Sequence, residues 1–420
     1  MARRERPNMD EREVVTCFLR NDGQLLLVRR SDDAESYPGQ WGAITGYLAP
    51  ERGAPPDEPG TAARREIREE TGIDDPALVR RGEPFAVEDA HRGTRWRVHP
   101  FLFETGTREI DPNWELQTYE WAHATEIRRR ETVPDLWRSY DGVRPTVESV
   151  AADDEHGSAW LSVRALEVLR DEAALTEDFE TVAGVARALL AARPSMAVVE
   201  NRINRAMSEA SERVPGAVER AAREGITSAV EADRAAAAVA AARIEGARVC
   251  TLSRSGTVEQ ALDLADPEAV LIAESRPGGE GVAVAESLAA RHSVTLTSDA
   301  ALAGQLNAFG ADAVVVGADT IFPDRVLNKV GTYGLALAAA AREIPLYVVA
   351  SADKVAPDDG IDTEPAAATL YDGDADLTVA NPLFEATPTA LCTAICTERG
   401  ALETDDVAEV AARHRSLREW

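Results

Sequence analysis

Residues 65–73 read Arg65-Glu66-Ile67-Arg68-Glu69-Glu70-Thr71-Gly72-Ile73. As a helix, this stretch puts Glu66, Glu69 and Glu70 at i, i+3 and i+4, on one face. Like charges so spaced repel by roughly 0.2–0.5 kcal/mol per pair. A divalent cation is the natural offset, because hard ions such as Mg²⁺ or Mn²⁺ take oxygen ligands and bridge to phosphates. Gly72 stands where a helix would close in a left-handed cap.

A second set of reactive residue types falls after short apolar runs in the last third of the chain. Thr251-Leu252-Ser253-Arg254-Ser255-Gly256-Thr257 follows the first run and opens a helix, so hydroxyls and free amides could take an anion. Glu274-Ser275-Arg276-Pro277-Gly278-Gly279-Glu280-Gly281 follows the second, where Arg276 could clamp a phosphate. Ser298-Asp299 follows the third, then Gly317-Ala318-Asp319-Thr320 and Asn328-Lys329-Val330-Gly331-Thr332. Lys329 stands out because the 45 basic residues include only two lysines, Lys329 and Lys354. A compact cation beside Asn328 suits a phosphate. Each string alone is equally well read as ordinary loop polarity. Taken together, Ser253, Arg254, Ser255, Arg276, Asp299, Asn328 and Lys329 meet Asp319 at one sheet edge, and a phosphorylated small molecule is the simplest ligand.

The elements that must position these residues follow from periodicity. Glu13–Arg29 alternates around the turn Asn21-Asp22-Gly23 and reads as a hairpin. Trp41–Leu48, 95–105 and 114–122 read as further strands, and a Pro/Gly-rich loop over 49–60 leads into the carboxylate helix. Ala151–Gly157 is a polar linker. Residues 158–245 are Ala-rich and helical in period, broken at Arg193-Pro194 and Val214-Pro215-Gly216. From 247 onward, apolar runs at 247–252, 269–273, 293–297, 313–316 and 345–350 alternate with helical stretches. That pattern makes a parallel sheet with helices on both faces, and ligands sit beyond its strands' carboxyl ends.

The chain has 420 residues, too many for one ordinary domain. Its formal net charge is −28, which argues against nucleic acid and anionic membrane as generic partners. No apolar run reaches eighteen residues and the start is charged, so a cytoplasmic, unexported protein is expected. The acidic, Lys-poor, Ala-rich composition resembles that of salt-adapted proteins, so an acidic residue alone carries little functional weight. The four cysteines, Cys17, Cys250, Cys392 and Cys396, form no CxxC pair and read as buried thiols; Cys392 and Cys396 are spaced for one helix face.

The first unit resembles the Nudix hydrolases, on the string Arg65 to Ile73. That resemblance implies a nucleoside-diphosphate-linked or related phosphorylated substrate, Glu66, Glu69 and Glu70 as Mg²⁺ ligands, and Arg65 orienting a carboxylate. The upstream half departs from the family's pattern. Asp57 stands where a Glu is expected, with Glu58 beside it, and the leading Gly would be Gly46 across an overlong loop. Asp57 joins the expected metal set. Substrate choice lies outside the helix; Trp41, Phe85, Trp96 and Tyr119 could stack on a base or serve the core.

Residues 157–420 resemble the family of initiation factor 2B alpha, beta and delta subunits, which also holds isomerases of methylthioribose 1-phosphate and ribose 1,5-bisphosphate. The carriers are Arg193-Pro194-Ser195-Met196-Ala197, Glu274-Ser275-Arg276-Pro277, Gly317-Ala318-Asp319, Asn328-Lys329-Val330-Gly331-Thr332, Thr387-Pro388 and Thr397-Glu398-Arg399-Gly400. In the family's isomerases a Cys and an Asp shuttle protons. Asp319 matches that Asp, but Ser253 stands at the Cys and Leu252 at its His neighbour, a string more similar to the non-catalytic subunits. The family also implies a homodimer through the C-terminal domain.

These readings give an α/β multidomain protein: a Nudix α/β/α sandwich over 1–148, a helical subdomain over 149–245 and a Rossmann-like domain over 246–420. Three functions compete. The first is a Mg²⁺-dependent hydrolase whose second domain binds a phosphorylated sugar or nucleotide. The second is a regulatory binding protein with little hydrolysis, and the third an aldose-phosphate isomerase using Asp319 with an unexpected partner.

Overall fold

The computed structural model describes residues 10–49, 55–358 and 370–420. The chain divides into two compact units, 1–146 and 147–420. Among the described residues, no helix is long and apolar enough to cross a membrane.

The first unit begins with β1 (Asp10–Asn21) and β2 (Gln24–Arg30), joined as the sequence predicts through Asp22 and Gly23. Both turn residues have positive φ, 50° and 75°, the requirement of the two-residue turn that matches strand twist. β3 (Trp41–Gly42) and β4 (Ile44–Tyr47) lead to α1 (Pro59–Thr71). β5 (Ala77–Arg81), β6 (Phe85–Asp89), β7 (Thr94–Glu104) and β8 (Leu116–Ala122) complete an eight-stranded mixed sheet, and α2 (Leu136–Asp141) follows. β1 and β7 pair in parallel at its centre. Alternation along β1 sends Val15, Cys17 and Leu19 to one face, against Ala62, Ala63 and Ile67 of α1. Phe18 faces the other way, against Leu136 and Tyr140 of α2. The sheet is thus covered on both faces, the expected sandwich. Strands β5 and β6 were not legible, because neither alternates cleanly.

The second unit opens with helices α3 (Val147–Ala151), α4 (Ser158–Leu175), α5 (Phe179–Ala192), α6 (Ala197–Ser208) and α7 (Pro215–Ile244). Their shared core includes Leu166, Leu169, Val182, Leu189, Ile203 and Ile226. The last turns of α7 pass into a second core, where Ala237, Ala240 and Ile244 lie with Val258, Leu262 and Leu288.

The expected alternation follows: β9 (Arg248–Thr251), α8 (Gly256–Ala265), β10 (Ala269–Ala273), α9 (Glu280–Ala289), β11 (Val294–Thr297), α10 (Asp299–Phe309) and β12 (Ala313–Val316). A small antiparallel sheet interrupts it, made of β13 (Thr320–Ile321) and β14 (Arg325–Lys329) with the later β16 (Phe384–Pro388). Between these come α11 (Thr332–Ala340) and β15 (Leu346–Val349). β17 (Ala394–Thr397), β18 (Gly400–Leu402) and α12 (Thr404–Ser416) close the chain.

The main sheet has the order β11-β10-β9-β12-β15-β17-β18, parallel except for β18. The chain leaves β9 for β10 on one side and returns to β12 on the other. The crevice beyond the ends of β9 and β12 is therefore a topological switch point. One cysteine expectation is overturned: Cys396 lies on β17 and Cys392 follows a short 3₁₀ turn at Thr389–Leu391, so no helix holds the pair. Of the apolar run 391–395, only Ala394 and Ile395 are strand, where β17 pairs with the β15 edge.

Candidate functional sites

Helix α1 is built to present its carboxylates. Pro59 starts it, the Glu58 side chain accepts from the Gly60 and Thr61 amides, and Gly72 closes it at φ 73° with its N–H donating to Arg68 O. Glu58 is thus a cap, further held by Arg81 at 2.9 Å. Glu66 points across to β4, where Gly46 leaves room for it. Glu69 stays exposed, and Glu70 is buried at 4% exposure.

Arg65 gathers this face. Its guanidinium reaches Glu66 at 2.5 Å, Asp57 at 3.4 Å, Glu69 at 3.8 Å and the Tyr47 carbonyl at 2.8 Å. The repulsion expected to require a metal is thus partly offset within the chain. Among the described residues no three of these carboxylates converge tightly enough to hold an ion. The expected set Asp57, Glu66, Glu69, Glu70 is not drawn together as a coordination shell: Asp57, Glu66 and Glu69 surround the Arg65 guanidinium, while Glu70 turns to the Thr45 amide.

Glu70 has no such close partner; Arg30 is the cation that acts on it, and its pull is weaker than the effects of burial, the Thr45 amide, Glu115 and Glu66. Its Oε1 accepts the Thr45 amide at 3.1 Å. Burial first, and then Glu115 and Glu66, raise its carboxyl well above the usual range. Burial also raises Glu66, against the opposing pull of Arg65. The donor set is all carboxylate and fits a hard divalent cation. Glu115, which sequence reasoning missed, belongs to the same electrostatic cluster.

Arg65, Glu66, Glu69 and Glu115 line a cavity of about 390 Å³ with Trp96 and Tyr47, while Glu70 lies behind its wall. Tyr37 and Trp114 also line it. Of the four aromatics expected to meet a base, Trp96 alone lines the cavity. Trp41 lies under Arg130 and Phe85 under Arg138, at 4.3 and 4.2 Å. Tyr119 is half-exposed on β8.

In the second unit, Ser253 follows β9 and Gly317-Ala318-Asp319 follows β12, so the switch point brings them together. Gly317 is required there, since a β-carbon would come within 2.8 Å of Ser255 Oγ. Ser255 itself caps α8, accepting the Val258 amide. Asp319 accepts from Ser158 Oγ at 3.2 Å. Desolvation raises its carboxyl, opposed by Lys354 and then Lys329. Both lysines are buried, at 3% and 6% exposure, and both act on Asp319. Lys354 donates to Ala318 O at 2.5 Å, and burial lowers its ammonium. Its scarcity in the sequence was the only available signal for it.

The remaining expected ligand residues divide. Asp299 accepts the amides of Ser275 and Arg276 at 2.9 and 2.7 Å, so it fixes the loop rather than facing a ligand. Asn328 is buried and donates to Thr332 Oγ1 at 3.0 Å, also a loop-fixing contact. Arg254 donates to the Glu155 carbonyl. Arg276 extends into solvent beside Glu274 at 3.2 Å. Lys329 pairs with Glu280 at 2.8 Å. Cys250 is fully buried within β9 and burial pushes its thiol up, so it does not stand in for a reactive thiol.

Residues 154–404 match the model of the initiation factor 2 subunit family, and residues 10–143 match the NUDIX domain. Curated relatives include a methylthioribose-1-phosphate isomerase of Synechocystis sp., 37% identical over 153 residues, which is 33% of this chain and 44% of that protein. Another, from Dechloromonas aromatica, is 39% identical over 167 residues, 34% of this chain and 46% of that protein. The chain thus spans under half the length of these curated relatives. Among solved structures, the translation initiation factor eIF-2B of Pyrococcus horikoshii OT3 superposes with a TM-score of 0.54 at 26% identity, covering 61% of this chain and 94% of that one. The 5-methylthioribose 1-phosphate isomerase of the same organism shares the fold, with a TM-score of 0.52 at 22% identity, over 64% of this chain and 86% of that one.

Proposed function

Because this chain belongs to the initiation factor 2 subunit family and carries a NUDIX domain ahead of the family's own, we propose that it is a Mg²⁺-dependent hydrolase of a phosphorylated compound, coupled to a second site that takes an aldose phosphate. The observation that carries the first half is the carboxylate face of α1 at the rim of the 390 Å³ cavity. Glu66, Glu69 and Glu70 would hold Mg²⁺, with Glu115 as a nearby carboxylate. Glu66 must first leave Arg65, which then becomes free to meet a phosphate. Bound Mg²⁺ would supply charge neutralisation and a more acidic water. Glu70, buried and short of countercharge, is the residue with most to gain from a cation. Tyr37, Tyr47, Trp96 and Trp114 around the cavity favour a substrate that carries a flat ring, so a nucleoside-diphosphate-linked compound is the substrate class we favour.

The test is phosphate release from a panel of nucleoside-diphosphate-linked compounds at high salt, with and without Mg²⁺. Glu69→Gln and Glu70→Gln are expected to lose the Mg²⁺-dependent rate while the protein stays folded. Unchanged release from both variants would remove this reading.

One observation favours an aldose-phosphate ligand for the second unit. The only two lysines of the chain flank Asp319 at the switch point. A compact ammonium suits a phosphate, and the matched relatives are isomerases of methylthioribose 1-phosphate. A thermal shift with methylthioribose 1-phosphate or ribose 1,5-bisphosphate tests this half, and no shift with either would remove it.

A further inference from the structure

Ser253 occupies the switch point in a left-handed backbone conformation, φ 65°, and Ser275 at the end of the neighbouring strand has φ 67°. Such conformations are uncommon for residues with side chains and gather at functional sites. The two are tied together, the Ser253 amide donating to Ser275 Oγ at 2.7 Å. This geometry aims Ser253 Oγ at Glu280, where it donates to Oε1 at 2.7 Å. Lys329 Nζ lies 2.8 Å from the same oxygen. A carboxylate held by an ammonium and a hydroxyl is fixed in direction and kept as an acceptor.

The other oxygen of Glu280 is differently placed. Among the described residues the hydrogen bond to this side chain goes to Oε1, and none is formed to Oε2. Oε2 lies against Gly278, whose missing side chain makes room for the carboxylate: a β-carbon there would come within 2.4 Å of it. Glu280 is therefore an oriented carboxylate with one oxygen tied and the other without a hydrogen bond, at 18% side-chain exposure. Asp319 stands across the same crevice, within electrostatic reach of both Glu280 and Lys329. Two carboxyl groups in unlike surroundings, one enclosed and one salt-bridged, are the arrangement that separates an acid from a base.

We propose that Glu280 is the catalytic base of the second unit and works with Asp319 to isomerise an aldose 1-phosphate to the ketose. The inference rests on the reading of this crevice as an aldose-phosphate site. The Asp319 carboxyl gives its proton to the ring oxygen as the bond from C1 to that oxygen breaks. C1 is left as an oxocarbenium that still carries its phosphate, which acidifies the C2 hydrogen. Glu280 takes that hydrogen as a proton, and the C–H electron pair becomes the C1=C2 bond of an enol phosphate. The C2 hydroxyl then returns a proton to Asp319 and becomes the carbonyl, while Glu280 returns its proton to C1. Both carboxyl groups end as they began, the phosphate is kept, and no oxidant is needed. Lys329 stands beside the charge that develops. Ser253 acts as a positioning residue, and no thiol is required.

The experiment uses the full-length chain in D₂O at high salt with ribose 1,5-bisphosphate or methylthioribose 1-phosphate, followed by NMR. Wild type is expected to form the ketose with deuterium at C1. Glu280→Gln should slow that conversion about 100-fold or more, in line with loss of a proton-transfer group, while the ligand-induced thermal shift is kept. The retained ligand-induced shift is itself the check that the second unit of the variant is folded. Near-wild-type conversion by Glu280→Gln overturns the proposal, as does wild-type protein that binds both probes and converts neither. Absence of any thermal shift in wild type removes the underlying ligand reading, and the inference with it.

Discussion

Gly46 and Glu66 share one space: a β-carbon at position 46 would come within 1.8 Å of Glu66 Cδ. β4 and α1 thus approach so closely that the helix can aim this carboxylate only across a glycine. Gly46 is also locked in register opposite Val15, so the strand has no slack to move away.

Gly46→Ala is therefore expected to displace Glu66 by about an ångström and cut hydrolysis by roughly 100-fold, the scale on which misplaced groups lose rate. Circular dichroism should be unchanged, because the neighbouring Glu66 is flexible enough to turn aside. The check is Mg²⁺-dependent phosphate release from the variant beside wild type.

Glu70 makes the first unit pH-sensitive in an unusual direction. Its carboxyl is raised above the ordinary 4.5 by burial, so the folded unit binds a proton more tightly than the unfolded chain. The stability it contributes is complete below about 4.5 and declines as pH rises through the folded value. Five of the seven tryptophans, Trp41, Trp96, Trp114, Trp121 and Trp137, lie in this unit, so fluorescence melting reports it. The melting temperature without divalent ions should fall from pH 5 upward, Glu70→Gln should flatten the fall, and Mg²⁺ should reverse part of it.

Asp353 sets the opposite trend in the second unit. It is buried between Arg202 at 3.0 Å and Arg205 at 2.6 Å, and their attraction outweighs desolvation to hold its carboxyl far below the usual range. A depressed carboxyl contributes stability above its unfolded value and loses it as pH falls towards the folded one. Asp353→Asn leaves two arginines short of a buried partner and should cost about 3 kcal/mol. Urea unfolding at pH 7 measures the loss, which should shrink below pH 4.

Lys329 and Lys354 are not exchangeable for the arginine used elsewhere in this chain. Both are buried, and a guanidinium is larger and planar where an ammonium is compact. Lys354→Arg should lose about 1–3 kcal/mol through overpacking. Lys329→Arg should also break the geometry at Glu280 and weaken the sugar-phosphate thermal response about tenfold or more. Equal responses from wild type and Lys329→Arg would count against a ligand at this crevice.

Much of the scaffold is legible in the residues themselves. The hairpin at Asp22-Gly23 and the capped helix ending at Gly72 follow from local φ preferences that the residues themselves impose. The runs at 269–273 and 313–316 are buried on both faces and so read as strands from apolarity alone. β5, β6 and β14 were not legible, because each is a five-residue, partly exposed strand with two charged residues. The cysteine pair misled because a four-residue spacing marks a helix face only where the backbone is helical, and here Cys392 follows a 3₁₀ turn while β15 captures Cys396 on β17.

The sequence by itself determined the carboxylate face of α1, the alternating unit that carries Asp319, and the rarity of lysine. Those are properties of neighbours in the chain, set by periodicity and residue type. Only the tertiary structure decided which charges meet. Arg65 turns back on Glu66 and Asp57, Glu70 is buried against the Thr45 amide, and Asp299 and Asn328 are spent on their own loops. It also brought Ser253, Glu280 and Lys329 to one point, though 27 residues separate the first two. Charge pairing falls off with distance in space and not along the chain, so no spacing rule could have named Glu280 as the partner of Ser253.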